Sequence, residues 1–127
     1  MTITKVSHLT IYVDDQEEAL IWYQEKLGFE KVMDNCDVVP GLRWLTVSPK
    51  GNPATQFVLM PARSDDDKTR IGNNLMTVLG SDNCTTEMRM MAHKGVEIVD
   101  PAAEVPWGVS GIIKDLYGNH YNIVGPK

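Results

Sequence analysis

Histidine and cysteine are the residue types with which this chain could do chemistry near neutral pH, and it has three of the first and two of the second. An imidazole can bind a metal ion or move a proton. We consider two interpretations of His8: a ligand-orienting or acid–base imidazole, or a histidine satisfied by a neighbouring backbone group. His93, beside Lys94 at a predicted helix end, is expected to be solvated and favourable to the helix dipole. His120 is expected to be an exposed or rim residue at the start of a strand.

Cys36 and Cys84 stand in polar, loop-like contexts and lack the Cys-x-x-Cys spacing of redox and zinc sites. In a reducing compartment this pattern predicts free thiols, neither of which is a nucleophile. The acidic run Asp65–Lys68 is predicted to be a solvated loop, because it lacks the ligand spacing of an EF-hand calcium site.

Two predicted strands place polar side chains together. His8–Val13 and Leu42–Val47 both alternate between residues that suit a packed face and residues that suit the opposite face. The side chains that this alternation turns away from the packed faces are those of His8, Thr10, Trp44 and Thr46. Trp44 is therefore predicted to form part of the wall of a concave site.

The elements around these strands occur twice. Asp15, a predicted helix N-cap, recurs as Asp82, and the helix-ending Gly28 recurs as Gly95, each 67 residues later. A period this long that is used twice indicates duplicated half-domains, because a solenoid needs more repeats to bury a core. Each half is predicted to run β-α-β-β-β. The predicted organisation is one domain, 1–127, made of module 1 (about 1–61), a linker (about 62–73) and module 2 (about 74–127).

Composition excludes several classes of function. A chain of 127 residues with 43% hydrophobic content can form one compact domain. Its net charge of −5 opposes nonspecific nucleic-acid binding, which requires clustered lysine and arginine. No apolar run approaches the roughly 18 residues of a membrane span, and the N-terminal residues lack the apolar stretch of a signal peptide. We therefore expect a soluble, cytoplasmic protein with neither nucleic acid nor a membrane as partner.

Three segments carry a resemblance to a known family: VSHLTIYVDDQEEALIWYQEKLGFE, GLRWLTVSPKG and PWGVSGIIKDLYGNHYNIV. They resemble the vicinal oxygen chelate superfamily, which includes glyoxalase I, extradiol dioxygenases, fosfomycin-resistance transferases and bleomycin-resistance proteins. The resemblance implies an α+β fold in which two tandem β-α-β-β-β modules form a curved mixed sheet with an open cleft and helices on the outer face. Many short members are homodimers, so a homodimer is expected. Function varies widely on this scaffold.

The resemblance also implies where a metal ion would bind. Metal-dependent members place His, Glu or Gln, His, and Glu at four sheet positions. In this chain the corresponding residues are His8, Gln56, Leu75 or Met76, and Asn122. Catalytic zinc usually has three protein ligands, and a non-haem iron oxygenase uses two histidines and a carboxylate. One histidine and two amides fall short of both, so no metal is expected. The alternative is an atypical divalent-metal centre built from His8, Gln56 and His120.

We therefore predict a metal-independent small-molecule binding protein similar to the bleomycin-resistance branch, with no cofactor. The residues predicted to contact the ligand are His8, Thr10, Trp44, Gln56, Trp107 and Asn122. Trp107, on a predicted loop, could stack on a planar ligand or cover the core. The alternatives are a metal-dependent lyase, isomerase or dioxygenase, and a protein-interaction module. The sequence leaves open which small molecule binds and whether any reaction follows.

Overall fold

The computed structural model describes residues 1–127, which divide into two compact units, Met1–Lys68 and Thr69–Lys127. We call them unit 1 and unit 2. Each contains one β-α-β-β-β module, so the predicted α+β fold of two tandem modules is confirmed. The boundary between the units falls within the segment 62–73.

Unit 1 has a four-stranded mixed sheet. Its elements are β1 (His8–Val13), α1 (Gln16–Leu27), β2 (Glu30–Val39), β3 (Leu42–Ser48), β4 (Gln56–Pro61) and the short α2 (Asp65–Lys68). The strand order is β1-β4-β3-β2, with β1 parallel to β4 and the other pairs antiparallel. β1 is therefore an edge strand.

Unit 2 repeats this arrangement. Its elements are β5 (Thr77–Gly80), α3 (Cys84–His93), β6 (Glu97–Val105), β7 (Gly108–Lys114) and β8 (His120–Gly125). The strand order is β5-β8-β7-β6, and the edge strand β5 runs parallel to β8.

The two long helices end in similar ways, although the N-cap of α3 is Asn83 and its C-cap is Lys94, each one residue from the position that the repeat predicts. The Asp15 carboxylate accepts a hydrogen bond from the Glu18 N–H (3.0 Å), which satisfies one of the unpaired donors at the start of α1. Asn83, one residue after the predicted Asp82, caps α3 in the same way. Gly28 ends α1 in the left-handed conformation (φ 69°), and its N–H donates to the Tyr23 carbonyl. A residue with a Cβ would be strained there.

The packed faces are those that alternation predicts. In unit 1 the core side chains of β3, Leu45 and Val47, are fully buried. The Tyr23 ring on α1 lies 5.7 Å from that of Phe29, which lies 5.7 Å from that of Phe57 on β4. These ring contacts fix α1 against one face of the sheet and leave the opposite face free of helix. In unit 2, α3 is held close to β7 because Gly111 has no side chain where Met88 packs.

Two predictions need correction. Cys84 does not lie in a polar loop: it is the first residue of α3, it is buried, and its Sγ lies 3.3 Å from the Ile123 carbonyl oxygen. Asp65–Lys68 is a short helix and not an irregular loop. Both cysteines are free thiols, as predicted. None of the helices has the length and apolar character needed to span a bilayer.

Candidate functional site

The helix-free face of unit 1 carries four of the predicted ligand contacts. Strand register places His8 beside Gln56 on neighbouring parallel strands, so their side chains leave the same face. Thr46 pairs with Val58 two residues along β4, which sets Thr46 on that face as well. The predicted contacts that unit 1 presents there are His8, Thr10, Trp44 and Gln56.

His8 and Trp44 form an aromatic pair on this face. Their ring centroids are 5.8 Å apart with planes tilted by 60°. Because His8 is on β1 and Trp44 on β3, the indole reaches across β4 toward the edge strand. Thr46 and Val58 lie between them in the sheet and are 0% and 2% exposed. The His8 ring is exposed, and its Nδ1 lies 3.0 Å from the Ser7 hydroxyl. Its partner is therefore a side chain and not the backbone group that one of the two interpretations assigned to it.

Gln56 is held by two protein groups. Its Oε1 accepts a hydrogen bond from the Thr46 hydroxyl (2.8 Å), and its Nε2 donates to the Pro53 carbonyl (3.2 Å). A carbonyl can only accept, so the contact with Pro53 fixes which end of the amide is nitrogen. The amide oxygen, the only atom of Gln56 that could bind a metal, therefore already has a donor. Alternation places Thr46 on this face, but no sequence signal predicts its bond to Gln56.

The helix-free face of unit 2 carries Asn122. This residue is half-buried in β8, with Ile112 of β7 and Val78 of β5 beside it in register. Its Nδ2 donates to the Ser110 hydroxyl oxygen (2.8 Å) and to the Gly111 carbonyl (2.8 Å). Both amide protons are thus used within the unit, and Asn122 presents its carbonyl oxygen. Ser110 is a further residue of this face that the sequence analysis did not identify.

A buried polar network positions the start of β8. The Asn119 side chain donates to the Asp115 carboxylate (2.8 Å) and accepts from the Asn74 N–H (3.0 Å). The Asn74 side chain then bonds both main-chain groups of His120, donating to its carbonyl (3.0 Å) and accepting from its N–H (2.9 Å). The Asn74 side chain thus bonds His120 in the way that a residue of a neighbouring antiparallel strand would. It fixes the strand two residues before Asn122, and it leaves the half-buried His120 ring outside the network.

Trp107 lies in the turn between β6 and β7, and 65% of its surface is exposed. That exposure does not fit a side chain that covers the core, which was one of its two predicted roles. Its large apolar ring is available to a partner molecule.

Side chains that commonly bind metal ions are sparse on these two faces. No group of three or more histidine, cysteine, aspartate or glutamate side chains is arranged to hold an ion. The amide oxygen of Gln56 accepts from Thr46, and Asn122 supplies a neutral oxygen where a carboxylate would offset the charge of an ion. A catalytic zinc or iron centre requires more than the one exposed imidazole of His8.

The strongest charge interactions belong to the scaffold. Arg43 donates two hydrogen bonds of 2.8 Å to the Asp34 carboxylate and lies 2.9 Å from that of Glu17 on α1. The hydrogen bond from Arg43 lowers the pKa of Asp34 to about 2, and the same bond raises the pKa of Arg43. Burial raises the pKa of the Cys84 thiol, which keeps it protonated and unreactive at neutral pH.

Comparison with known protein families gives one match that spans nearly the whole chain. The model of the Glyoxalase/Bleomycin resistance protein/Dioxygenase superfamily matches residues 5–123. Among curated proteins, YurT of Bacillus subtilis (strain 168), itself uncharacterized, is 32% identical over 127 aligned positions that cover 94% of this chain and 98% of YurT.

Solved structures that are similar in both sequence and fold include the following two. TnmS3, described as an antibiotic binding protein from Streptomyces sp. CB03234, is 30% identical with a TM-score of 0.82, and the match covers 100% of this chain and 99% of TnmS3. A member of the same superfamily from Sphaerobacter thermophilus DSM 20745 is 31% identical with a TM-score of 0.84, covering 97% of this chain and 98% of that protein.

Proposed function

The chain belongs to the glyoxalase/bleomycin resistance protein/dioxygenase superfamily, and we propose that it binds a small organic molecule without a metal ion and without transforming it. One observation carries this proposal: two of the four family ligand positions hold neutral amides, and the Gln56 oxygen already accepts a hydrogen bond from Thr46. Gln56 is bonded to Thr46 and Pro53, and Asn122 to Ser110 and Gly111. A metal-dependent lyase, isomerase or dioxygenase needs a bound metal ion with open coordination positions. Gln56 and Asn122 do not provide the ligands for such an ion.

The antibiotic-binding description of TnmS3 supports a binding role, because the two chains align over their full lengths. The residues that we assign to ligand binding are those predicted from the sequence: His8, Thr10, Trp44 and Gln56 in unit 1, and, separately, Trp107 and Asn122 in unit 2. A few polar groups among aromatic and aliphatic side chains are typical of sites for small organic molecules. The net charge of −5 favours neutral and cationic ligands over anionic ones.

We further propose that the protein acts as a homodimer in the cytoplasm. Apolar side chains are exposed at the free edge of each sheet: Leu75 (89%) and Val78 (57%) at β5, and Val6 (61%) beside β1. Exposed apolar side chains of this kind favour association when they are contiguous. Two free cysteines are typical of a reducing compartment. Light scattering during size-exclusion chromatography tests the dimer: a mass of one chain at micromolar concentration contradicts it.

A thermal-shift screen tests the binding function. The panel comprises antibiotics, aldehyde–glutathione adducts and catechols, each measured with and without EDTA. A ligand present at 100 times its Kd stabilises the folded protein by about 2.7 kcal/mol, which gives a clear rise in Tm. We expect a rise that EDTA does not change and a compound that mass spectrometry recovers intact. A rise that EDTA abolishes, or a compound recovered in altered form, contradicts the proposal and favours the metal-dependent enzyme.

A further inference from the structure

Asn122 has a fixed orientation, and this determines what it can offer a ligand. The Gly111 carbonyl, 2.8 Å from Nδ2, cannot donate, so the nitrogen of the amide must face it. The second proton of Nδ2 goes to the Ser110 hydroxyl oxygen, also at 2.8 Å. Rotating the amide by 180° would place its oxygen against the Gly111 carbonyl oxygen and remove that hydrogen bond. Asn122 is therefore an acceptor only, and its free atom is the carbonyl oxygen.

The surroundings of this oxygen are largely apolar. Val78 and Ile112 are the register neighbours of Asn122 on the two adjoining strands, and Val124 follows on the same face of β8. Two basic residues share this face: Lys114, which is paired with Glu97 at 3.3 Å, and the half-buried His120, two residues before Asn122. At the Asn122 oxygen itself, an anionic group would meet a carbonyl oxygen and the aliphatic side chains of Val78 and Ile112.

We propose that Asn122 selects ligands that carry a neutral or cationic N–H or O–H donor on an apolar body, and that Ser110 is a positioning residue for this selection. This inference rests on the proposed binding function and adds the polarity of the ligand to it. A donor aimed at the Asn122 oxygen gains a hydrogen bond. An acceptor or an anion at the same place leaves that oxygen unpaired and repelled.

Three small probes separate these cases: indole, 1-methylindole and 1-methylindole-2-carboxylate. Indole has one N–H donor, the methyl derivative has none, and the carboxylate adds negative charge without a donor. Dissociation constants are measured by titration followed in ¹H–¹⁵N NMR spectra. The side-chain NH₂ signals of Asn122 are assigned by their loss in Asn122→Asp and report binding at this position.

For the wild-type protein we expect indole to bind about 3- to 10-fold more tightly than 1-methylindole, the range that one neutral hydrogen bond provides. The carboxylate should bind most weakly. Asn122→Leu has no acceptor and should bind the two neutral probes equally. Ser110→Ala should reduce the preference, and Ser110→Thr, which retains the hydroxyl, should restore it.

The outcomes distinguish this inference from the function on which it rests. Binding of all three probes with equal affinity, or tightest binding of the carboxylate, overturns the selection by Asn122 and leaves small-molecule binding intact. If Asn122→Leu does not fold, equal affinity of the two neutral probes for the wild-type protein still refutes the inference. Binding of none of the probes at millimolar concentration overturns the inference, whereas the proposed function is overturned only if the thermal-shift screen also finds no ligand.

Discussion

Replacing Thr46 by valine tests whether Gln56 belongs to the protein's own hydrogen-bond network. Thr46 is 0% exposed, and its hydroxyl donates to Gln56 Oε1 at 2.8 Å. Valine keeps the shape and removes that donor. A neutral hydrogen bond of this kind contributes about 0.5–1.5 kcal/mol, so we expect the free energy of unfolding to fall by about 1 kcal/mol. For a 127-residue chain this lowers Tm by about 4 °C.

A double-mutant cycle isolates the bond from other effects of the substitution. Thr46→Val, Gln56→Met and the double variant are compared with the wild-type protein by urea denaturation. The two substitutions should be coupled by about 1 kcal/mol, because either one alone already breaks the Thr46–Gln56 hydrogen bond and the other cannot break it again. Thr46→Ser serves as the control, since it retains the hydroxyl. Additive effects, with a coupling within about 0.3 kcal/mol of zero, would refute the interpretation of Gln56 as an internally bonded residue.

Three further predictions concern the scaffold and the exposed tryptophan. Gly111→Ala places a Cβ against the Met88 side chain and should destabilise the protein by about 1–3 kcal/mol in urea denaturation. Its combination with Met88→Ala should cost less than the sum of the single changes. Arg43 lowers the pKa of Asp34 from 3.8 to about 2, so this pair stabilises the fold above about pH 4, and its contribution is lost as the pH falls toward 2. Asp34→Asn should remove that part of the pH dependence of the urea midpoint. An unchanged pH profile contradicts the assignment. Trp107→Ala should change the free energy of unfolding by less than about 0.5 kcal/mol, yet it should weaken the binding of a compound found in the thermal-shift screen. An unchanged affinity for that compound excludes Trp107 from the site.

Local patterns in the sequence predicted much of the scaffold correctly. The alternation of His8–Val13 gives the strand, and the packed and helix-free faces follow from it. Helix ends were predictable because capping depends on a few neighbouring residues, as at Asp15 and Gly28. Because these local signals occur twice, they also predicted the β-α-β-β-β order of each unit.

Features that depend on distant residues were not predictable in this way. β2 (10 residues) and β6 (9 residues) each contain register shifts that pairing with the next strand determines. Cys84 follows polar residues in the sequence, yet the packing of α3 against β8 buries it. The bonds that hold Gln56 to Thr46 and Asn122 to Ser110 join different strands, and only the register brings those residues together.

The most direct test of the central claim is the metal content and metal affinity of the protein purified without chelator. Mass spectrometry with an inductively coupled plasma measures zinc, nickel, manganese and iron per chain, and calorimetry then measures titration with each ion. If the protein binds its ligand without a metal, we expect far less than one ion per chain and no saturable uptake of any ion. The metal content and metal affinity of His8→Ala should then equal those of the wild-type protein. One bound ion per chain that is lost in His8→Ala would contradict the account and identify a metal-dependent enzyme.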